Sequence, residues 1–148
     1  MASRIQSLNN QINNKQKLLT AVTSSNLPQP IAPFSHAVAI NANSKLLFVS
    51  GQLSRDPKSG KFVHADNVAL QTEQTLINLK EVLKAGGSDL QYVVKCTVYL
   101  NDMAHFNQVN EVYGKFFNTD VKPARACFAV RELPAGAKVE IECIAVVP

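Results

Sequence analysis

Between Pro123 and Val146 the chain reads PARACFAVRELPAGAKVEIECIAV, and this stretch constrains the fold more than any other. Two runs rich in Val, Ile, Phe and Cys, Arg125–Val130 and Lys138–Val147, flank a Leu-Pro-Ala-Gly break. Both are too short for helices and read as strands. Each carries charge that a buried strand does not need: Arg125 opens the first, while Glu140 and Glu142 lie within the second. Alternation along a strand gives Arg125 and Cys127 one face, and Glu140, Glu142 and Ile144 one face. Burying a guanidinium or a carboxylate alone costs on the order of several kcal/mol, so each must be paired or serve a ligand. Two readings follow from the residues alone. One is a structural ion pair, or glutamates at a wet subunit interface. The other is a carboxylate-binding arginine working with a water-activating glutamate.

The remaining chain sets limits on both. Its 148 residues suffice for one domain with a real core and are too few for two. No apolar run reaches the length of a bilayer span. The net charge of +4 owes much to Arg4, Lys15 and Lys17, which have no acidic neighbour before Asp56. The body is therefore near neutral, which argues against a broad nucleic-acid footprint. Cys96, Cys127 and Cys143 each fall in an expected strand, with an odd total and no CxxC spacing. That pattern argues against a disulfide framework and offers no clustered metal ligands. Reduced, buried cysteines suit a cytosolic protein, or one of an organelle matrix.

In chain order, residues 1–16 are rich in Asn and Gln and free of acids, an N-terminal extension that is either flexible or a targeting segment. A single domain is expected over 17–148. LLTAV after Lys17 reads as a first strand, and the prolines of Asn26–His36 impose an extended path. Ala37–Ile40 and Lys45–Ser50 follow as strands, the latter running into Ser50-Gly51-Gln52. Asn67–Ala85 carries apolar residues at helical spacing (Val68, Thr72, Thr75/Leu76, Leu79, Val82/Leu83), with Asp66 as the expected N-cap and Gly86-Gly87 as its stop. Tyr92–Leu100 is a strand, and Ala104–Asn118 a second helix burying Phe106, Val109, Tyr113, Phe116 and Phe117. The order β-β-β-α-β-α-β-β is an α+β arrangement in which two helices of similar length cover one sheet face. The other face is left partly apolar, which predicts oligomerisation through it.

Five motifs stand in register: PIAPFSHAV, SGQ, the T-x-Q-x-L-x-N helix, VVKCTVYLNDMAHFNQVNEVYGKFF, and PARAC…VEIECIAV. Together, over roughly Lys17 to Val147, they resemble the Rid family (YjgF/YER057c/UK114) of small enamine/imine deaminases. The resemblance implies a chorismate-mutase-like fold, with two helices on one face of the sheet and a homotrimer whose sheets enclose a central barrel. It also implies that the Tyr92–Leu100 strand lies between the last two, so that Arg125 and Glu140 are not directly paired.

The implied reaction is hydrolysis of 2-imino acids, formed from enamines such as 2-aminoacrylate, to a 2-keto acid and ammonia, without cofactor or metal. Arg125 would grip the α-carboxylate as a planar fork, and Glu140 would activate water as general base. Phe34, Ser50, Gly51, Asn110 and Cys127 are the expected substrate-binding positions. Glu142 is assigned to structure or the subunit interface. The chain departs from the family at Ala32-Pro33-Phe34-Ser35-His36, where Gly-Pro-Tyr-Ser-Gln is usual. Phe34 keeps the ring and lacks the hydroxyl. Two alternatives stand beside the deaminase: a small-carboxylate-binding or chaperone-like paralogue without turnover, and an endoribonuclease or translation inhibitor.

Overall fold

Alternation of apolar and polar residues in two adjacent strands decides how the sheet of this protein is layered. The computed structural model describes residues 18–148; the N-terminal extension assigned to residues 1–16 lies outside them. The strands are β1 (Leu19–Val22), β2 (Ala37–Ile40), β3 (Lys45–Gln52), β4 (Val93–Leu100), β5 (Ala124–Ala129) and β6 (Val139–Val147). The helices are α1 (Val68–Ala85) and α2 (Phe106–Phe116), so the order of elements is the expected one. β3, β6, β4 and β5 form a four-stranded sheet in that order, and β1 and β2 form a separate antiparallel pair. β6 runs antiparallel to both neighbours, whereas β4 and β5 run parallel through the α2 crossover. β4 thus lies between the last two strands, as the resemblance implies.

Cys96, Val98 and Leu100 of β4 and Val139, Ile141, Cys143 and Ala145 of β6 are buried on one face. Against them pack Leu76, Leu79 and Leu83 of α1 and Val109 and Tyr113 of α2, with Phe117 just beyond it, forming one core. Val82 instead is 38% exposed, so Leu83 alone closes the last turn of the α1 stripe. The two helices differ in length, 18 residues against 11, because Met103–His105 winds as a 3-10 turn before α2 begins. The N-cap of α1 is Asn67 and not Asp66: its Oδ1 accepts the Leu70 amide at 3.0 Å, capping one of the unpaired donors of the first turn. At the other end Gly87 takes φ 78°, and Ser88 N donates to Leu83 O while Gly87 N donates to Lys84 O, a Schellman closure that a side-chain-bearing residue resists.

The opposite sheet face has a different character. Phe48 is 71% exposed and Phe128 46%, with Leu46 also open and Lys95, Thr97, Tyr99, Glu140, Glu142 and Ile144 half-buried among them. This is the partly apolar, uncovered face expected from two helices serving one side.

Gln71, fully buried on α1, ties this arrangement together. Its Nε2 donates to His64 O at 3.0 Å and Ala65 O at 3.1 Å, and its Oε1 accepts from Lys138 N at 2.9 Å. The loop before α1 and the entry to β6 are thereby fixed to one side chain. Gln71→Leu strands all three backbone groups, and urea unfolding should show a loss of about 2–4 kcal/mol with an unchanged m-value.

Candidate active site

Because β4 separates β5 from β6, register decides which side chains share a face. Cys96 lies beside Arg125 and Val98 beside Cys127. Thr97 lies beside Glu142 and Tyr99 beside Glu140. Cys96 and Val98 face the helices, Thr97 and Tyr99 the open side, so Arg125 and Glu140 project from opposite faces of the sheet. The expected site residues therefore form two groups.

The first group surrounds Arg125. Its guanidinium lies over three aromatic rings, with Cζ 4.8 Å from the centroid of Tyr113, 5.7 Å from Phe34 and 5.9 Å from Phe106. Nη1 donates to Asn110 Oδ1 at 2.6 Å. Among the described residues the ion pairs join Lys84 to Glu81 and Arg131 to Glu132, and Arg125 has no carboxylate partner. Among the described residues, a structural ion pair is thus not what holds this cation. Aromatic faces and a neutral amide stabilise it instead, each ring by roughly 0.5–1 kcal/mol or more where water is excluded. Phe34 reaches this place because its loop is laced to the start of β5: Ser35 N donates to Pro123 O at 3.1 Å and Ser35 Oγ to Lys122 O at 2.6 Å. His36 braces the same loop, its Nδ1 accepting from Ser24 N and its Nε2 lying 2.9 Å from Pro28 O.

Cys127, two residues along β5, shares the Arg125 face and is half-buried. Burial pushes its thiol pKa up, against a smaller opposing pull from Arg125. It is held as a thiol, an unreactive wall. Deeper in the core, burial pushes the Cys96 thiol up to about 12 and the Tyr113 phenol well above its ordinary range.

The second group lies on the open face. Glu140 nestles against Gly51, where a Cβ would collide with its carboxylate. Ser50 and Gly51 stand at a β-bulge: Val49 pairs with Cys143 and Gln52 with Ile141, leaving two residues of β3 against one of β6. The expected strand ends at Ser50, and β3 runs on through Gly51 to Gln52. Burial first, and then the nearby Glu142 charge, raises the Glu140 pKa above that of an ordinary carboxylate. Glu142 accepts from Tyr99 Oη at 2.9 Å. Beside it Ser50, Lys95, Thr97, Phe48 and Ile144 line a half-open groove of about 270 Å³.

Arg125, Asn110, Phe34 and Cys127 are thus together, Glu140, Ser50 and Gly51 are together, and one chain does not join the two sets. Phe106 and Tyr113 were expected only as core residues of the second helix. Their spacing around Asn110, four before and three after, is the signal that places all three on one helical face. The polar residues of the T-x-Q-x-L-x-N motif have a structural task. Gln74 donates to Asn78, whose amide holds Leu53 O and Arg55 O in the loop after the bulge.

Residues 24–147 match the family model described as Endoribonuclease L-PSP. Protein DfrA of Myxococcus xanthus is 48% identical over 126 residues, 85% of this chain and 94% of that protein. The 2-iminobutanoate/2-iminopropanoate deaminase of Homo sapiens is 41% identical over 125 residues, covering 84% and 88%. The solved structure of E. coli TdcF with bound serine matches with a TM-score of 0.64 at 32% identity, covering 86% of this chain and 98% of that one. With family model, curated relatives and fold in agreement, the chain belongs to the endoribonuclease L-PSP family, the Rid (YjgF) proteins whose motifs it carries.

Proposed function

We propose that this protein hydrolyses reactive 2-imino acids to 2-keto acids and ammonia, in a site that two chains of a homotrimer build together. The observation carrying this reading is Arg125: a half-buried guanidinium with aromatic and amide neighbours and no carboxylate among the described residues. A ligand carboxylate is the partner such a group lacks. The deaminase activity named for the human, bovine and mouse relatives, at 41–43% identity, and the serine held by TdcF, point to α-carboxylate ligands of this size.

The chemistry follows from the two groups of residues. An enamine first tautomerises to the imine, R–C(=NH)–COO−, which takes a proton from solvent to give the iminium R–C(=NH2+)–COO−. Arg125 binds the carboxylate, Asn110 fixing the plane of the fork and Phe34 and Cys127 walling the pocket. Glu140 of a neighbouring chain takes a proton from water as the water oxygen bonds to C2, and the C=N π electrons pass to nitrogen. The same carboxyl returns the proton to the amine of the tetrahedral adduct. Collapse to the ketone then breaks the C–N bond and releases ammonia, as the hydroxyl proton passes to Glu140 and on to solvent. Since Arg125 and Glu140 project from opposite faces of one sheet, a single chain does not supply both. The uncovered face bearing Phe48 and Phe128 is the surface through which copies associate, and Gly51 leaves room for the Glu140 carboxylate that meets the neighbour's pocket.

Ammonia release from freshly generated 2-iminobutanoate tests the activity. Arg125→Lys should lower kcat/KM about ten- to a hundredfold, the loss of roughly 1.5–3 kcal/mol from a charged bidentate contact. Glu140→Gln should lower kcat and leave carboxylate binding largely intact. When the two inactive variants are unfolded, mixed and refolded together, sites pairing an intact Arg125 with an intact Glu140 should restore part of the activity. Turnover no greater than the sum of the separate variants would remove the two-chain site.

A general base works only while ionised, so activity should fall as pH drops through the raised Glu140 pKa. Removing the neighbouring charge in Glu142→Gln should move that acid limb to lower pH, and a limb that stays in place would exclude Glu140 as the titrating base.

Gly51→Ala should displace the Glu140 carboxylate. Its kcat should drop tenfold or more, on the order of 1.4 kcal/mol in the barrier, while 2-oxobutanoate still binds.

A further inference from the structure

Beyond the gripping arginine itself, the structure contains a device for holding it. We infer that Tyr113 is a positioning residue for carboxylate recognition: its ring is the floor on which the Arg125 guanidinium rests, and its face, not its hydroxyl, gives the site its preference for an anionic substrate. This rests on the reading of Arg125 as the carboxylate grip.

Three observations carry the inference. Of the three rings around Arg125, Tyr113 is the nearest, at 4.8 Å from Cζ, and the only one that is wholly buried, at 0% exposure. Phe34 and Phe106, at 5.7 and 5.9 Å, are half-buried and stand at the rim. Tyr113 is also locked in place, its ring 4.4 Å from that of Phe117 within the core. Finally, Asn110 and Tyr113 are three residues apart on α2, so one helical face supplies both the amide that orients the guanidinium and the ring beneath it.

A guanidinium has five N–H donors in one plane. Asn110 takes one at Nη1, and the floor restricts tilt of that plane without consuming a donor. A carboxylate at the same place would neutralise the cation that the ligand needs. An aromatic floor stabilises the cation and leaves its charge available.

The hydroxyl has no such part. Tyr113 Oη is buried in the core, where its polar neighbour is the weakly bonding Cys96 thiol and not the guanidinium. Ring and hydroxyl should therefore separate cleanly on substitution.

The test measures calorimetric affinity for 2-oxobutanoate against its uncharged amide, 2-oxobutanamide. Tyr113→Phe should hold the acid within about twofold of the parent protein. Tyr113→Leu should weaken the acid roughly three- to thirtyfold and leave the amide unchanged. Should Tyr113→Leu fail to fold, phenylalanines carrying one to five ring fluorines at position 113 preserve shape while emptying the π face. The logarithm of Kd for the acid should then rise stepwise with fluorination, and the melting temperature should not follow that order. A flat fluorination series, or equal losses for acid and amide, would overturn the role assigned to Tyr113. Arg125→Ala measured in parallel separates this from the underlying reading. If that variant keeps the parent's preference for acid over amide, Arg125 is not the grip. If it loses the preference while the fluorinated series stays flat, only the floor is wrong.

Discussion

The position of β4 between β5 and β6 is the constraint on which the rest depends. Two ladders of opposite sense meet on this strand, so its register fixes the neighbours of every charged residue in the C-terminal quarter. Alternation does the rest. Cys96, Val98 and Leu100 turn into the core under α1 and α2, and Thr97 and Tyr99 turn out beside Glu142 and Glu140. A slip of one residue in either ladder would reverse these faces, placing glutamates under the helices and valines in water. The hydrophobic cost of that reversal is what pins Arg125 and Glu140 to opposite sides.

Each charge is then accommodated by the means its face allows. On the helix side, Arg125 is half-buried with no carboxylate partner among the described residues, and aromatic faces and one amide hold it. On the open side, Glu140 tolerates partial burial next to Glu142, and burial first and then the Glu142 charge hold its pKa above that of an ordinary carboxylate. The bulge at Ser50-Gly51 belongs to the same arrangement. Only a residue without Cβ leaves room for the Glu140 carboxylate against β3. The irregularity in the ladder makes space for a half-buried carboxylate.

Much of this was legible in the residues. Gly86-Gly87 ended α1 where the Schellman closure is found, and the apolar stripe of α1 was read correctly at Thr72, Thr75, Leu76 and Leu79. Asp66 was mistaken for the cap because two polar residues stand side by side at that boundary, and only the backbone decides that Asn67 is the one with extended φ and ψ. Phe106 and Tyr113 read as core for a sound reason: both bury aromatic surface, and a ring that serves a cation is no different in composition from one that serves packing. Asn110, Phe34 and Cys127 do gather at Arg125, from a helix, a loop and a strand far apart in the chain.

The order of elements, the alternating faces within each strand and the chemistry available, an arginine in a PAR-x-C run and a glutamate in VEIE, are legible in the residues. That these two lie on opposite faces of one sheet emerges only when the strands pair. Period-two alternation relates residues within a strand. It says nothing of how one strand's faces are phased against another's. That phase is set by hydrogen-bond register, which follows from how the whole core packs.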